Sequence, residues 1–269
     1  MSANGNAFTV RFQFHGDLNF FLRARDASVA VTKVLREKTS AKDAIESCGV
    51  PHPEVDLILV DGKSVDFSYQ LEVDIKINIF SVAASPNLFP GNRLQRRGIT
   101  KFVADGHLGK LVRDLRLLGI DVVYDNNATD SQLIAIATSQ DRALLTRDRR
   151  LLMHAVIQNG YCPRSDFAEE QTVEVIRRFD LANAIVPFTR CLYCNAALTP
   201  VEKHEIINEL EPLTKIYYED FRRCTECGQI YWAGSHFEKL RARIERIRKR
   251  VTEEFATATE LREDRQSKI

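Results

Sequence analysis

Phe8, Val10, Phe12 and Phe14 alternate with Thr9, Arg11 and Gln13, the two-residue period of a strand with one buried face. Val29, Val31, Val34 and Leu35 predict a second strand near it. Ser40 and Asp43 form a variant of the capping box and predict a short helix over AKDAIESCG, stopped by Gly49 and Pro51. VDLILVDGKSV then predicts a strand that turns at Asp61-Gly62, and VDIKINIFSV a closing strand with Val73, Ile75, Ile77 and Ile79 inward. From Ile99 the pattern changes: ITKFVA, HLGKLVRDLRLLG, DVVYD, SQLIAIATSQ, ALLT and RRLLMHAVIQNG alternate strand and amphipathic helix. Such alternation implies right-handed βαβ units and a parallel sheet. In the first of these helices Leu108, Leu111, Val112, Leu115 and Leu118 form the core stripe, which leaves Lys110, Arg113 and Asp114 on other faces. FAEEQTVEVIRRFDL adds a helix with Val173, Val175 and Ile176 toward a core. The last stripe, Leu240, Ile244, Ile247, Val251 and Phe255, belongs to an amphipathic helix whose other faces carry Arg241, Arg243, Arg246, Arg248, Lys249 and Arg250.

The pattern divides the chain. Strands and one helix over residues 1–83 fit a small α+β module of β-grasp type. Ser85, Pro86, Pro90 and Gly91 mark a linker over 84–97, and Arg93, Arg96, Arg97 and Lys101 make a basic approach to the α/β segment after it. The α/β core spans 98–188, a cysteine module 189–234, and the basic helix 235–269. The single histidines His15 and His52 read as turn or surface residues, because no second ligand stands at knuckle spacing beside them.

Three acids fall at equivalent places in the α/β core. Asp105 follows the first strand, Asp130 opens the second helix beside the end of DVVYD, and Asp148 follows ALLT. Parallel strands present their carboxyl ends on one edge, where ligands bind in open α/β sheets. Three adjacent carboxylates repel, and a hard cation such as Mg²⁺ or Mn²⁺ neutralises them. Each acid also has a local reading: Asp130 and Asp148 both stand where a helix N-cap is expected, and Asp125 is either a fourth ligand or a turn residue. Arg113, Arg142, Arg147, Arg149 and Arg150 bracket these acids and suit a phosphate substrate, or else pair with neighbouring carboxylates.

Charge and cysteines refine this picture. The formal net charge is +1, so any nucleic-acid surface has to arise from local separation of charge. Cys191, Cys194, Cys224 and Cys227 form two CxxC pairs, the donor set of a tetrahedral structural zinc ribbon, with Gly228 allowing the tight second knuckle. Four thiolates leave no open position for a catalytic water. Cys48 and Cys162 read as small buried residues. The opening MSANGNAFTV lacks the character of an export signal and no apolar run reaches membrane-spanning length, so a cytoplasmic protein without a membrane partner is expected.

The runs AIESCGVPHPEVDLILVDGKSV, FVADGHLGKLVRDLRLLGIDVVYD, DRALLTRDRRLL and CTECGQIYWAGSHFEKL resemble the Mut-seven C-terminal RNase family, a branch of the PIN fold, over nearly the whole chain. That resemblance implies a ubiquitin-like domain ahead of a metal-dependent ribonuclease core, followed by the ribbon. By position Asp105, Asp130 and Asp148 match the family's acids, and Thr146 its small hydroxyl residue before the last acid. Arg150 stands where many PIN nucleases place a further acid, so the chain departs from the four-acid pattern at that position. The products implied carry 5′-phosphate and 3′-hydroxyl ends. Sulfur carriers of the β-grasp fold end in a free Gly-Gly, whereas here the strand runs on into SVAASPNLFPGNR, so a docking module is the expected role. The alternative to an enzyme is an RNA-binding adaptor that uses the ribbon and the basic helix, with a protein or the ribosome as a further partner.

Overall fold

The alternation of Phe8 to Phe14 becomes strand β1 (Phe8–His15) of a computed structural model that describes residues 7–22, 30–85, 89 and 91–266, with side chains described to 253. Val29, Pro86, Pro90 and the side chain of Phe255 lie outside the described residues. After β1 come β2 (Val31–Leu35), helix α1 (Ala41–Glu46), β3 (Val55–Val60), β4 (Lys63–Val65) and β5 (Ile75–Ser81). They form one sheet in the order β2-β1-β5-β3-β4, with β1 and β5 parallel and every other pair antiparallel. Ser40 caps α1, its Oγ accepting from Asp43 N at 3.1 Å. Asp61 and Gly62 both have positive φ, the backbone that lets a two-residue hairpin follow the strand twist. Phe12, Ile45, Leu57, Ile77 and Ile79 are fully buried. Val73, expected inward, is exposed, since it precedes the paired part of β5.

The α/β stretch runs β6 (Lys101–Ala104), α2 (Gly109–Leu117), β7 (Asp121–Tyr124), α3 (Asp130–Ser139), β8 (Ala143–Leu145), α4 (Arg149–Leu152), β9 (Gly160–Tyr161) and α5 (Ala168–Arg178). Its pairs β6–β7 and β8–β9 are parallel. By their internal contacts the residues form two compact units: 1–99 with 129–164, and 100–128 with 165–269.

In the first unit the five-stranded sheet and the segment 129–164 are bonded together. Glu54, 2% exposed, accepts from both guanidinium nitrogens of Arg164 at 2.9 and 2.8 Å and from Cys162 N at 2.7 Å. His52 is buried rather than a surface residue, with Nδ1 2.6 Å from Glu46 Oε1 and Nε2 2.6 Å from Ile157 O. The expected linker is docked on the same unit. A bulge in β3 turns Asp56 inward, where it accepts from Arg93 Nη1 at 2.8 Å and Gln95 N at 3.2 Å. Helix α4 is a single turn rather than the longer helix that RRLLMHAV predicts. Gly160 approaches Leu152 so closely that a Cβ there would lie 2.6 Å from it, and this return of the chain is invisible to periodicity.

In the second unit α2 links β6 to β7 and ends at Gly119. Its φ of +86° and the bond Ile120 N to Leu115 O (2.9 Å) make a Schellman stop. The ring of Phe102 on β6 packs edge-on against Phe179 after α5, with centroids 4.9 Å apart. Strands β10 (Leu198–Val201), β11 (Phe221–Cys224) and β12 (Ile230–Trp232) form an antiparallel sheet, and α6 (Phe237–Gln266) lies on α5. Ile244, Ile247 and Val251 are buried. Asp114 is buried too, contrary to its expected outward face, because Arg243 of α6 clasps it at 2.7 and 2.5 Å. Arg246 and Arg250 pair with Glu169, and Arg250 also with Glu170, so much of the basic face of α6 holds α5. Among the described residues no helix is long and apolar enough to cross a membrane.

Candidate functional site

Asp105 and Asp125 leave β6 and β7 at matched register, one residue beyond the pair Ala104 and Tyr124. Gly106 brings the two loops together: a Cβ on it would meet Asn126 O at 2.7 Å. The Tyr124 hydroxyl closes the same corner by donating to Gly106 O at 2.8 Å. Asp105 is half-buried at the N-cap of a 3-10 turn, Gly106–Leu108, and makes no side-chain cap bond. Asp125 is exposed, and its Oδ1 accepts from Asn127 N at 2.9 Å, so it builds a turn while standing beside Asp105. Arg113, on α2, is exposed.

Asp130 and Asp148 belong to the first unit. Thr129, not Asp130, caps α3, through a full capping box with Gln132; Asp130 is the exposed first helical residue, with its carboxylate outside the cap. Asp148 does cap α4: its Oδ1 accepts from Arg150 N at 2.7 Å and Leu151 N at 3.3 Å. Thr146 is fully buried, and its hydroxyl accepts from Asp148 N at 2.9 Å, fixing the backbone that carries this acid. Arg142 is half-buried and donates from Nε to Gln140 Oε1, while Arg147 and Arg150 are exposed. Arg149 is committed elsewhere: its guanidinium donates to Phe21 O (2.9 Å) and Phe20 O (3.3 Å) and stacks over both rings.

The cysteine quartet is the most closely gathered donor set. Among the described residues, Cys191, Cys194, Cys224 and Cys227 are the one group of three or more His, Cys, Asp or Glu side chains whose ligand atoms lie within 4.8 Å of one another. Sγ separations of 3.6 Å (Cys191 to Cys227) and 3.3 Å (Cys194 to Cys224) suit a metal tetrahedron, whose edge is about 3.8 Å for Zn–S bonds of about 2.3 Å. Each knuckle ends on a left-handed residue, Asn195 and Gly228, both with φ of 74°. The Cys191 thiol is drawn down to about 6. Burial pushes it up, but the amides of Cys194 and Tyr193 and the Tyr231 hydroxyl (3.1 Å) stabilise its thiolate.

The first knuckle is bonded to β7 through residues that the sequence pattern did not single out. Asn195 accepts from Val122 N at 3.0 Å and donates to Asp121 Oδ1 at 2.8 Å. Arg190 reaches Gly119 O, Asn195 O and Asp121. Arg116, 3% exposed, bonds both Val122 and the knuckle. Its signal in the sequence is a basic residue four positions after Val112, in phase with the core stripe.

A family model described as Mut7-C RNAse domain matches residues 100–244, and one described as Mut7-C ubiquitin matches residues 7–85. No curated protein and no solved structure gives a significant match.

Proposed function

The chain belongs to the Mut7-C RNase family, and from that premise we propose that it is a PIN-type ribonuclease that hydrolyses RNA phosphodiesters with the help of Mg²⁺ or Mn²⁺. The observation that supports this reading best is the pair Asp105 and Asp125, held at the carboxyl ends of adjacent parallel strands by the Gly106 and Tyr124 contacts. Carboxylate oxygens are the donors a hard divalent ion prefers, so the residues present fit the group. Asp105, Asp130 and Asp148 are the proposed ligands, with Asp125 and Thr146 as additional members. When bound, the ion would polarise the phosphodiester and lower the pKa of the attacking water. Thr146 fixes the backbone of Asp148, and Arg113, Arg142 and Arg147 offer cationic contacts that draw a polyanion to an acidic site. The quartet Cys191, Cys194, Cys224 and Cys227 is proposed to hold a structural zinc.

The test uses the full chain on single-stranded RNA. Cleavage is expected with Mn²⁺ or Mg²⁺, to be absent in chelator, and to fall at least ~100-fold in Asp105→Asn, as befits removal of a group that acts on the transition state. Equal cutting by Asp105→Asn, or by chelated protein, refutes the metal-nuclease reading.

Arg150, exposed where the resemblance predicts a fourth acid, favours a second reading, an RNA-binding adaptor. That reading expects salt-sensitive RNA binding with no turnover in any metal. The pairing of Arg243, Arg246 and Arg250 with Asp114, Glu169 and Glu170 weakens it, because these cations are already engaged.

A further inference from the structure

Arg116 lies in the interior of α2 at a position where an aliphatic residue would fill the core, yet it carries a guanidinium that is 3% exposed. Nε and Nη2 donate to Val122 O at 3.1 and 2.9 Å, and Nη1 donates to Leu192 O at 3.1 Å and Tyr193 O at 2.8 Å. All three acceptors are backbone carbonyls. A buried cation needs opposite charge nearby as well as hydrogen bonds. The groups that can set negative charge against it are Asp121 and, with a metal bound, the thiolates of Cys191 and Cys194. Asp121 is itself held by Asn195 and Arg190.

The two knuckle carbonyls identify which groups this cation acts on. The peptide that presents Tyr193 O to Arg116 presents its other end, Cys194 N–H, to Cys191 Sγ at 3.5 Å. The preceding peptide offers Leu192 O to the same guanidinium and Tyr193 N–H to the same sulfur. A cation on the oxygen of a peptide strengthens its N–H as a donor. Both amides that steady the Cys191 thiolate are therefore polarised from behind by one side chain.

We propose that Arg116 is a positioning residue of the cysteine centre. It offsets the net negative charge of four thiolates around Zn²⁺, polarises the amides that face Cys191, and locks the Cys191–Cys194 knuckle onto β7. The proposal rests on the reading of the quartet as a zinc site. Its consequence reaches further, because Val122 is bonded at O by Arg116 and at N by Asn195, two residues before the Tyr124 that closes the loop beside Asp105.

The test compares wild type, Arg116→Met, Arg116→Lys and Asn195→Ala as full chains loaded with zinc. Zinc release to a chelating dye is expected to be ~10- to 100-fold faster in Arg116→Met, the usual effect of losing a group that orients metal ligands. Arg116→Lys keeps the charge without the fork and is expected to recover part of that loss. In the Co²⁺-substituted proteins the thiolate charge-transfer band is expected to shift in Arg116→Met and to stay in place in Asn195→Ala, which loses a tie to β7 but no charge. Hydrogen exchange at the Val122 amide is expected to quicken in Asn195→Ala. If Arg116→Met does not fold, Arg116→Lys carries the test, and its zinc release must still exceed that of wild type. Zinc-loaded wild type and variants with equal release rates and unshifted bands overturn this proposal alone. A wild-type chain that retains no zinc overturns the zinc reading together with it.

Discussion

Glu54→Gln puts the bonding of the first unit to a direct test. Glu54 is 2% exposed and Arg164 has 14% of its side chain exposed, so their two-pronged ion pair is largely removed from water. The substitution keeps the volume of the side chain but replaces a charged acceptor with an amide, one end of which is a donor facing another donor. Arg164 then keeps a buried charge that has lost its buried partner, while Asp17, which still pairs with it at 2.9 Å, is 41% exposed. Breaking one side of a buried pair costs about 3–5 kcal/mol. For a cooperative unit of this size that corresponds to a fall in Tm of roughly 10–20 °C. Calorimetry and urea melts followed by circular dichroism would measure it. The double variant Glu54→Met with Arg164→Met removes both charges and is expected to be less damaging than Glu54→Gln alone, giving a coupling of several kcal/mol in a double-mutant cycle. A Glu54→Gln protein within about 1 kcal/mol of wild type, or singles that add without coupling, would refute the assignment of Glu54 as the neutralising group.

Asp148 separates stability from chemistry: Asn is as good an N-cap as Asp, so Asp148→Asn is expected to melt within about 0.5 kcal/mol of wild type while losing metal-dependent cleavage, whereas Asp148→Ala loses about 1 kcal/mol as well. Both are read by urea titration beside an RNA-cleavage assay. Burial and the neighbouring Glu54 raise the Cys162 thiol from 9.0 to about 11. The folded pKa lies above the unfolded one, so the contribution is complete below pH 9 and is lost as pH rises toward 11, amounting to about 2–3 kcal/mol. The difference between wild type and Cys162→Ala in melts from pH 8 to 11 measures this, and a difference that does not change with pH would contradict it.

What the sequence disclosed was local. Ser40 with Asp43, the Asp61-Gly62 turn and the paired CxxC motifs state their structure within a few residues, because a cap, a left-handed turn and a knuckle are each closed by neighbours in the chain. That Asp105 and Asp125 follow adjacent strand ends was legible for a related reason, since a parallel βαβ unit fixes which strand ends share an edge. The buried polar residues were not. Asp114 looks like a surface residue until Arg243, 129 positions later, is placed against it. His52 looks solvent-facing until Ile157 O, 105 positions away, takes its ring nitrogen. Arg116 breaks a hydrophobic stripe for the sake of carbonyls 76 and 77 positions downstream. Periodicity reports which face is buried, but the partner that makes burial of a charge tolerable is set by tertiary structure alone.

The bonding of Glu54 to Arg164 also sets an order of events. Their separation of 110 residues means that, as the chain emerges from the N-terminus, the strands of the N-terminal sheet are complete long before the guanidinium that neutralises Glu54 exists. Until residue 164 is delivered, the sheet has to keep that carboxylate hydrated or protonated, and the first unit stays open at the face that segment 129–164 will cover. The N-terminal fold is in this sense a half-finished surface awaiting its own distant continuation. A fragment ending near residue 85 would carry Glu54 without its guanidinium partner and an uncovered Phe20–Phe21 corner, where the intact chain has Arg149 and Arg164.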